Sequence, residues 1–102
     1  MNITADNFEE VISEKDKLIV LDFWATWCGP CKMLMPVLES VEGKYPDVVF
    51  GKVNVDEEEM LARRYGIVSI PTLIFIKNGE TVKKSVGYLD ENQLSAFIDG
   101  VK

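Results

Sequence analysis

The sequence predicts an α/β fold in which a central mixed β-sheet of about five strands is flanked by about four helices on both faces. Up to residue 66, strand and helix periods of apolar residues alternate in the order β-α-β-α-β-α, and a hairpin and a last helix follow. The segment 18–24 is apolar on both alternating sides except at one position, which is typical of a strand covered by helices on both faces. Asn78-Gly79 between two apolar segments is a strong hairpin signal, so the last two strands are predicted to be antiparallel.

The first elements are a short strand over residues 1–4 and a helix after it. Asp6 and Glu9 have the spacing of a capping box at the start of this helix. Its apolar residues recur at helical spacing: Phe8, Val11 and Ile12. The strand 18–24 comes next.

In the middle of the chain, the pattern of apolar residues predicts a long helix, a strand and a short helix. The long helix covers 28–45, the strand 48–55 and the short helix 57–65. The apolar face of the long helix consists of Leu34, Val37, Leu38 and Val41.

In the last part of the chain, the sequence pattern predicts the hairpin and a final helix. Its strands are 73–77 and 81–86, and Asp90 with Gln93 has the spacing of a capping box. The inner face of the final helix consists of Leu94, Phe97, Ile98 and Val101.

Length and composition suit one globular domain. The 102 residues are enough for a single hydrophobic core and too few for two, so we expect residues 1–102 to form one domain. Hydrophobic residues make up 47% of the chain and charged residues 27%, which differs clearly from the composition of disordered proteins.

Charge and hydropathy argue against two classes of partner. Acidic residues outnumber basic ones by 17 to 11, so the net charge of −6 would repel a nucleic acid. The apolar segment 18–27 is too short to span a bilayer and contains Asp22, and no export signal is visible at the N-terminus. We therefore expect a cytoplasmic protein without membrane contact, and a monomer because nothing demands an oligomer.

Both cysteines lie in one tetrapeptide, Cys28-Gly29-Pro30-Cys31. A secreted domain would usually spread several cysteines along the chain, so a redox pair explains this spacing better. The chain has no histidine, which removes the usual base of cysteine proteases and two common kinds of zinc site. Two alternatives stay open: half of a zinc site completed by carboxylates or a second chain, and an inert structural disulfide.

The tetrapeptide lies where a buried strand ends and a helix begins, which places both sulfurs on one face about one turn apart. The helix N-terminus stabilises a thiolate, so Cys28 should have a lowered pKa and act as the nucleophile. Cys31 lies one turn further in and is the predicted resolving thiol. Pro30 fits the first helical turn, and Gly29 lets another chain approach closely.

Asp22 is the one polar residue in the strand 18–24. Burial of a carboxyl group without a full partner raises its pKa, which makes Asp22 a candidate for proton transfer. The alternative is a hydrogen-bonded core residue without any part in the chemistry.

The segment Phe23-Trp24-Ala25-Thr26-Trp27-Cys28-Gly29-Pro30-Cys31-Lys32 closely resembles the active-site segment of the thioredoxin family. The resemblance covers the whole chain and implies the thioredoxin fold. Further matches in order and spacing are Asp22, Lys52, Ile70-Pro71-Thr72, Asn78-Gly79 and Val86-Gly87.

The resemblance implies additional residues of the site. The acid matching Asp22 helps to deprotonate the resolving thiol, directly or through water, and the lysine matching Lys52 is its charge partner. By itself, Lys52 would be interpreted as a solvent-reaching lysine. The proline matching Pro71 follows a cis bond, whereas spacing alone would favour trans. The implied substrate-binding surface around Cys28 consists of Trp27, Gly29, Pro30, Ile70, Pro71 and Gly87.

Two positions beside this surface depart from a frequent family pattern. Val68 and Tyr88 stand where well-known relatives often carry basic or small residues. This departure bears on the choice of target proteins.

The residues between the cysteines indicate the direction of the reaction. Gly-Pro resembles the reducing thioredoxins, whereas glutaredoxins typically have Pro-Tyr and protein disulfide isomerases Gly-His. The implied activity is reduction of protein disulfides through a mixed disulfide. Thioredoxin reductase would restore the dithiol with electrons from NADPH, and no bound cofactor is expected.

Two other functions remain as hypotheses. A binding module could use the same surface to hold a partner, with the thiols incidental. An oxidant or isomerase of exported proteins would need a less negative redox potential and an export signal.

Overall fold

The computed structural model describes all residues from Met1 to Lys102. The four strands are β1 (Leu18–Trp24), β2 (Val49–Asn54), β3 (Thr72–Lys77) and β4 (Glu80–Val86). The four helices are α1 (Phe8–Ile12), α2 (Gly29–Lys44), α3 (Glu59–Arg64) and α4 (Glu91–Val101). None of these helices has the length and apolar character that crossing a membrane requires.

The strands form one mixed sheet in the order β2-β1-β3-β4. β1 is parallel to β2 and antiparallel to β3, and β3 is antiparallel to β4. Alternate side chains of β1 enter two separate cores because neighbouring residues of a strand point to opposite faces. One core contains residues of α2 and α4, the other residues of α1 and α3. The predicted sheet with helices on both faces is confirmed.

The predicted first strand is wrong, and the sheet has four strands instead of about five. Residues 1–4 make only one isolated parallel bridge to β2, between Asn2 and Lys52. Met1 and Asn2 are exposed, so Ile3 is the only fully buried side chain of this segment. Ile3 packs directly over Gly51, where a Cβ atom would lie 2.6 Å from Ile3 Cγ1. Two backbone hydrogen bonds of 2.8 Å, from Ile3 N–H to Lys52 and from Lys52 N–H to Met1, make this one bridge, which does not continue into a ladder.

The capping box predicted for α1 is also wrong. The helix begins after Asn7, and the Asn7 side chain does not cap it. Instead, Asn7 Oδ1 accepts a hydrogen bond from the backbone N–H of Thr4 at 2.8 Å. Glu9 pairs with Arg64 of α3, so its carboxylate turns away from the helix N-terminus.

The hairpin and the cap of α4 agree with the sequence. Asn78 and Gly79 both have positive φ, at 53° and 81°, as a two-residue hairpin turn of the type favoured by Asn-Gly requires. Asp90 Oδ1 accepts from the N–H of Gln93 at 2.8 Å, and Gln93 Oε1 accepts from the N–H of Asp90 at 3.0 Å. This reciprocal capping box fixes the start of α4.

The path from β1 into α2 positions the cysteines. β1 ends at Trp24, and α2 begins at Gly29 with Cys28 as its N-cap. Pro30 lies in the first helical turn, where its missing N–H breaks no hydrogen bond. The helix continues through Pro36 and buries one face, formed by Cys31, Leu34, Leu38 and Val41.

Candidate active site

Cys28 and Cys31 form a disulfide, with their Cα atoms 5.3 Å apart. Because Cys28 is the N-cap of α2, its sulfur faces the free backbone N–H groups of the first turn. The N–H of Cys31 donates to Cys28 Sγ at 3.2 Å. The same N–H can stabilise a negative charge on that sulfur when the disulfide is open.

The two cysteines are both buried beside an exposed turn of the chain. Cys28 is 5% exposed and Cys31 1% exposed, whereas Gly29 and Pro30 between them are exposed. Both cysteines pack with Ala25 in a small apolar cluster. Cys28 is thus the slightly more exposed of the two residues and lies directly beside the exposed Gly29 and Pro30.

A second loop lies against the disulfide. The carbonyl oxygen of Ile70 is 3.8 Å from Cys28 Sγ, and the Ile70–Pro71 peptide bond is cis. The carbonyl of Pro71 accepts a hydrogen bond from the N–H of Gly87 at 2.8 Å. Gly87 has φ +98°, a conformation that side chains disfavour. The structure thus brings Ile70 against Cys28, with Pro71 next to it and Gly87 hydrogen-bonded to Pro71, although these residues are distant from Cys28 in sequence.

Trp27 directly precedes Cys28 in the chain and lies on the surface. Its side chain is 69% exposed, and its Nε1–H donates to Asp56 Oδ2 at 2.9 Å. Asp56 lies 29 positions further along the chain, in the loop between β2 and α3. Sequence reasoning missed Asp56, because no local pattern links it to Trp27.

Asp22 is buried in the face of β1 that lies under α2. No protein group hydrogen-bonds either of its carboxyl oxygens. Burial raises the pKa of Asp22 from 3.8 to about 7, and the positive charge of Lys52 opposes this rise. Lys52 lies directly opposite Asp22 in the parallel pairing of β1 and β2.

A small cavity connects Asp22 with charged groups near the surface. Its volume is about 20 Å³, enough for a single water molecule. Lys52 of β2 and Glu39 and Glu42 of α2 line it together with Asp22 and the buried side chain of Leu38. Sequence reasoning missed both glutamates, whose spacing of one helical turn next to Leu38 was the available signal.

The cysteines have no further metal-binding side chains around them. Nowhere in the structure do three or more His, Cys, Asp or Glu residues converge so that they could hold a metal ion. Within this chain, no carboxylates stand where they could complete a zinc site with the two cysteines.

The chain matches the family model for thioredoxin over residues 1–100. The chain belongs to the thioredoxin family. It is 46% identical to thioredoxin of Chlamydia caviae over 97 residues, covering 95% of this chain and 93% of the relative. It is also 46% identical to thioredoxin of Alicyclobacillus acidocaldarius over 102 residues, covering 99% and 96% of the two chains. Among solved structures, Fasciola hepatica thioredoxin superposes with a TM-score of 0.90 at 41% identity, covering 97% and 95% of the chains.

Membership of the thioredoxin family and the Cys28–Cys31 disulfide together define the activity. The chain is a thiol–disulfide oxidoreductase that works as a protein-disulfide reductase through its redox-active cysteine pair. The architecture expected from the resemblance, the thioredoxin fold, is confirmed.

Proposed function

We propose that Cys28 is the nucleophile and Cys31 the resolving thiol in reduction of protein disulfides, and that thioredoxin reductase returns the pair to the dithiol with electrons from NADPH. The position of Cys28 Sγ at the N-terminus of α2, 3.2 Å from the N–H of Cys31, is the observation that carries this proposal. We further propose that residues 1–102 act as a single-domain cytoplasmic monomer, without nucleic acid or membrane partners.

The first step is attack on the target disulfide. The Cys28 thiolate forms a bond to one target sulfur, and the other target sulfur leaves as a thiolate that takes a proton from solvent. The N–H of Cys31 and the dipole of α2 stabilise the attacking thiolate. The lower exposure of Cys31 supports the assignment of Cys28 as the attacking group.

The second step closes the disulfide. Cys31 loses its proton and attacks Cys28 Sγ, which forms the Cys28–Cys31 bond and releases the second target thiolate. The net result transfers two electrons to the target, and the pair is oxidised. Regeneration therefore needs two electrons, which the reductase would draw from NADPH; the chain itself needs no prosthetic group.

Asp22 is the proposed acceptor for the Cys31 proton. It lies under the buried face of α2 that also carries Cys31, and a pKa of about 7 lets it accept and return a proton near neutral pH. The small cavity is lined by Lys52, Glu39 and Glu42 but not by Cys31, so a water molecule there would exchange the proton between Asp22 and solvent. Lys52 favours the ionised carboxylate and is its proposed charge partner.

The surface around Cys28 is the proposed docking site for targets. Gly29 and Pro30 are exposed beside the sulfur. Trp27, Ile70 and Gly87 contribute accessible surface around it, whereas Pro71 is buried and holds the Ile70 backbone through the cis bond. A flat surface of this kind suits an extended peptide, whose backbone can pair with that of Ile70.

Reduction of insulin disulfides tests these assignments. With NADPH and thioredoxin reductase as the electron source, the natural chain should reduce insulin, and Cys28→Ser should be inactive. Cys31→Ser should instead accumulate a mixed disulfide between Cys28 and insulin, visible as a covalent adduct by mass spectrometry. Equal rates for the natural chain and Cys28→Ser would contradict the proposal and leave only the binding module.

A further inference from the structure

Three large apolar side chains around the disulfide project into solvent. Val68 is 96% exposed, Trp27 69% and Tyr88 44%. Val68 lies two residues before Ile70, whose carbonyl contacts Cys28 Sγ, and Tyr88 follows Gly87, which is hydrogen-bonded to Pro71. Single exposed apolar residues are common, but three of them around one reactive group indicate a contact surface. We call Trp27, Val68 and Tyr88 the apolar triad.

Hydrogen bonds hold the segments that carry the apolar triad. The indole of Trp27 donates to Asp56, and the N–H of Gly87 fixes the start of the Tyr88 segment. The Val68 segment is held at Ile67, whose N–H donates to the carbonyl of Ala62 at 2.9 Å. Side chains on segments that are already ordered lose less entropy when a partner binds, so they contribute more to affinity.

An acidic segment, residues 56–59, adjoins the triad at Trp27. It contains four consecutive acids, Asp56, Glu57, Glu58 and Glu59. Asp56 and Glu58 accept hydrogen bonds from Trp27 and from the backbone of Ala5, and none of the four acids takes part in an ion pair. Lys52 lines the same open pocket as Glu57 and Glu58 without pairing with either. The segment thus presents net negative charge beside an apolar surface.

We propose that this face selects extended target segments with an apolar side chain next to the disulfide cysteine and a lysine or arginine on the Trp27 side. The inference rests on the proposed function, because the selected segment must carry the disulfide that Cys28 attacks. The apolar triad covers the side chain next to the cysteine, and the acidic segment attracts the basic one. The resulting substrate class is a basic, apolar-flanked protein disulfide.

Three disulfide-linked peptides test this selectivity. The parent peptide has leucine on both sides of its cysteine and lysine two positions further out. One derivative replaces leucine by asparagine, and the other replaces lysine by glutamate. We expect second-order rate constants for reduction by the dithiol protein to fall about tenfold for the first derivative, from lost apolar burial. For the second we expect a fall of about threefold or more in low salt, which disappears in about 0.5 M NaCl because salt screens exposed charges.

Variants of the protein connect these preferences to the named residues. Val68→Thr exchanges one methyl group for a hydroxyl and should reduce the preference for leucine about fourfold. Val82→Thr is the matched control, since Val82 is also an exposed valine but lies on β4 near the hairpin, at the other end of the sheet. The double variant Glu57→Gln with Glu59→Gln should abolish the preference for lysine, and Glu80→Gln of the hairpin is its control.

The outcomes separate this inference from the proposed function. Equal rates for the three peptides, or preferences that persist in the variants of Val68 and the two glutamates, would overturn the selectivity while leaving reduction intact. Self-association of the dithiol protein that Val68→Thr weakens, measured by sedimentation, would assign the face to a second copy of the chain and also overturn it. No reduction of any peptide would overturn the proposed function and the selectivity with it.

Discussion

The buried carboxyl group of Asp22 should make folding less stable as pH rises. Burial raises its pKa from 3.8 to about 7. Between these values the folded chain keeps a proton that the unfolded chain has lost, so the free energy of unfolding falls across this interval and the loss is complete above it. The difference of about 3 pKa units corresponds to about 4 kcal/mol, at about 1.4 kcal/mol per unit.

Asp22→Asn removes this titration at almost unchanged volume. Urea unfolding of the oxidised protein, in which the cysteines do not titrate, should be followed from about pH 4 to about pH 8. We expect the free energy of unfolding of the variant, relative to the natural chain, to rise by about 4 kcal/mol over this range. Asp6→Asn, at an exposed acid, is the control and should follow the natural chain. Parallel curves for Asp22→Asn and the natural chain would refute the reasoning, as would a relative change of opposite sign.

Three further outcomes follow from individual contacts. Asp22→Asn should slow release of the target thiol from a preformed mixed disulfide by about tenfold or more, because general-base assistance to Cys31 is lost; an unchanged rate in stopped-flow assays would remove Asp22 from the mechanism. Asp90→Ala should lower the free energy of unfolding by about 1 kcal/mol, since the capping box of α4 is lost. Asp90→Ser should retain most of that stability in the same urea titration, and equal losses in both variants would contradict the capping role. Gly51→Ala should cost about 1–3 kcal/mol in urea unfolding, because its Cβ would lie 2.6 Å from Ile3 Cγ1; a variant as stable as the natural chain would contradict this close packing.

The sequence predicts best those elements whose conformation is determined by residues that are neighbours in the chain. Asn78 and Gly79 both tolerate the positive φ that the hairpin turn needs, and Asp90 and Gln93 cap α4 through their own side chains. Both features were predicted correctly. The segment 1–4 has strand-like alternation but only one buried anchor, and whether it extends the sheet depends on its contact with β2. Likewise, the spacing of Asp6 and Glu9 matched a capping box, but Glu9 pairs with Arg64 on another helix.

In the candidate active site, too, some features follow from neighbouring residues in the chain and others depend on contacts between distant segments. The placement of Cys28 and Cys31 at a helix start follows from the strand and helix periods around them. The bond from Trp27 to Asp56 and the cavity that joins Asp22 to Glu39 and Glu42 depend on how distant segments pack. No periodicity encodes such contacts, so only the folded structure reveals them.

The reactivity of Cys28 tests the central claim most directly. In the reduced Cys31→Ser variant, Cys28 is the only thiol, so its alkylation rate with iodoacetamide as a function of pH reports its thiolate. Cys28 at the N-terminus of α2 should titrate clearly below the value of about 8.5 that a free cysteine shows. A midpoint at or above that of free cysteine, with ordinary reactivity near neutral pH, would contradict a nucleophile activated by the helix.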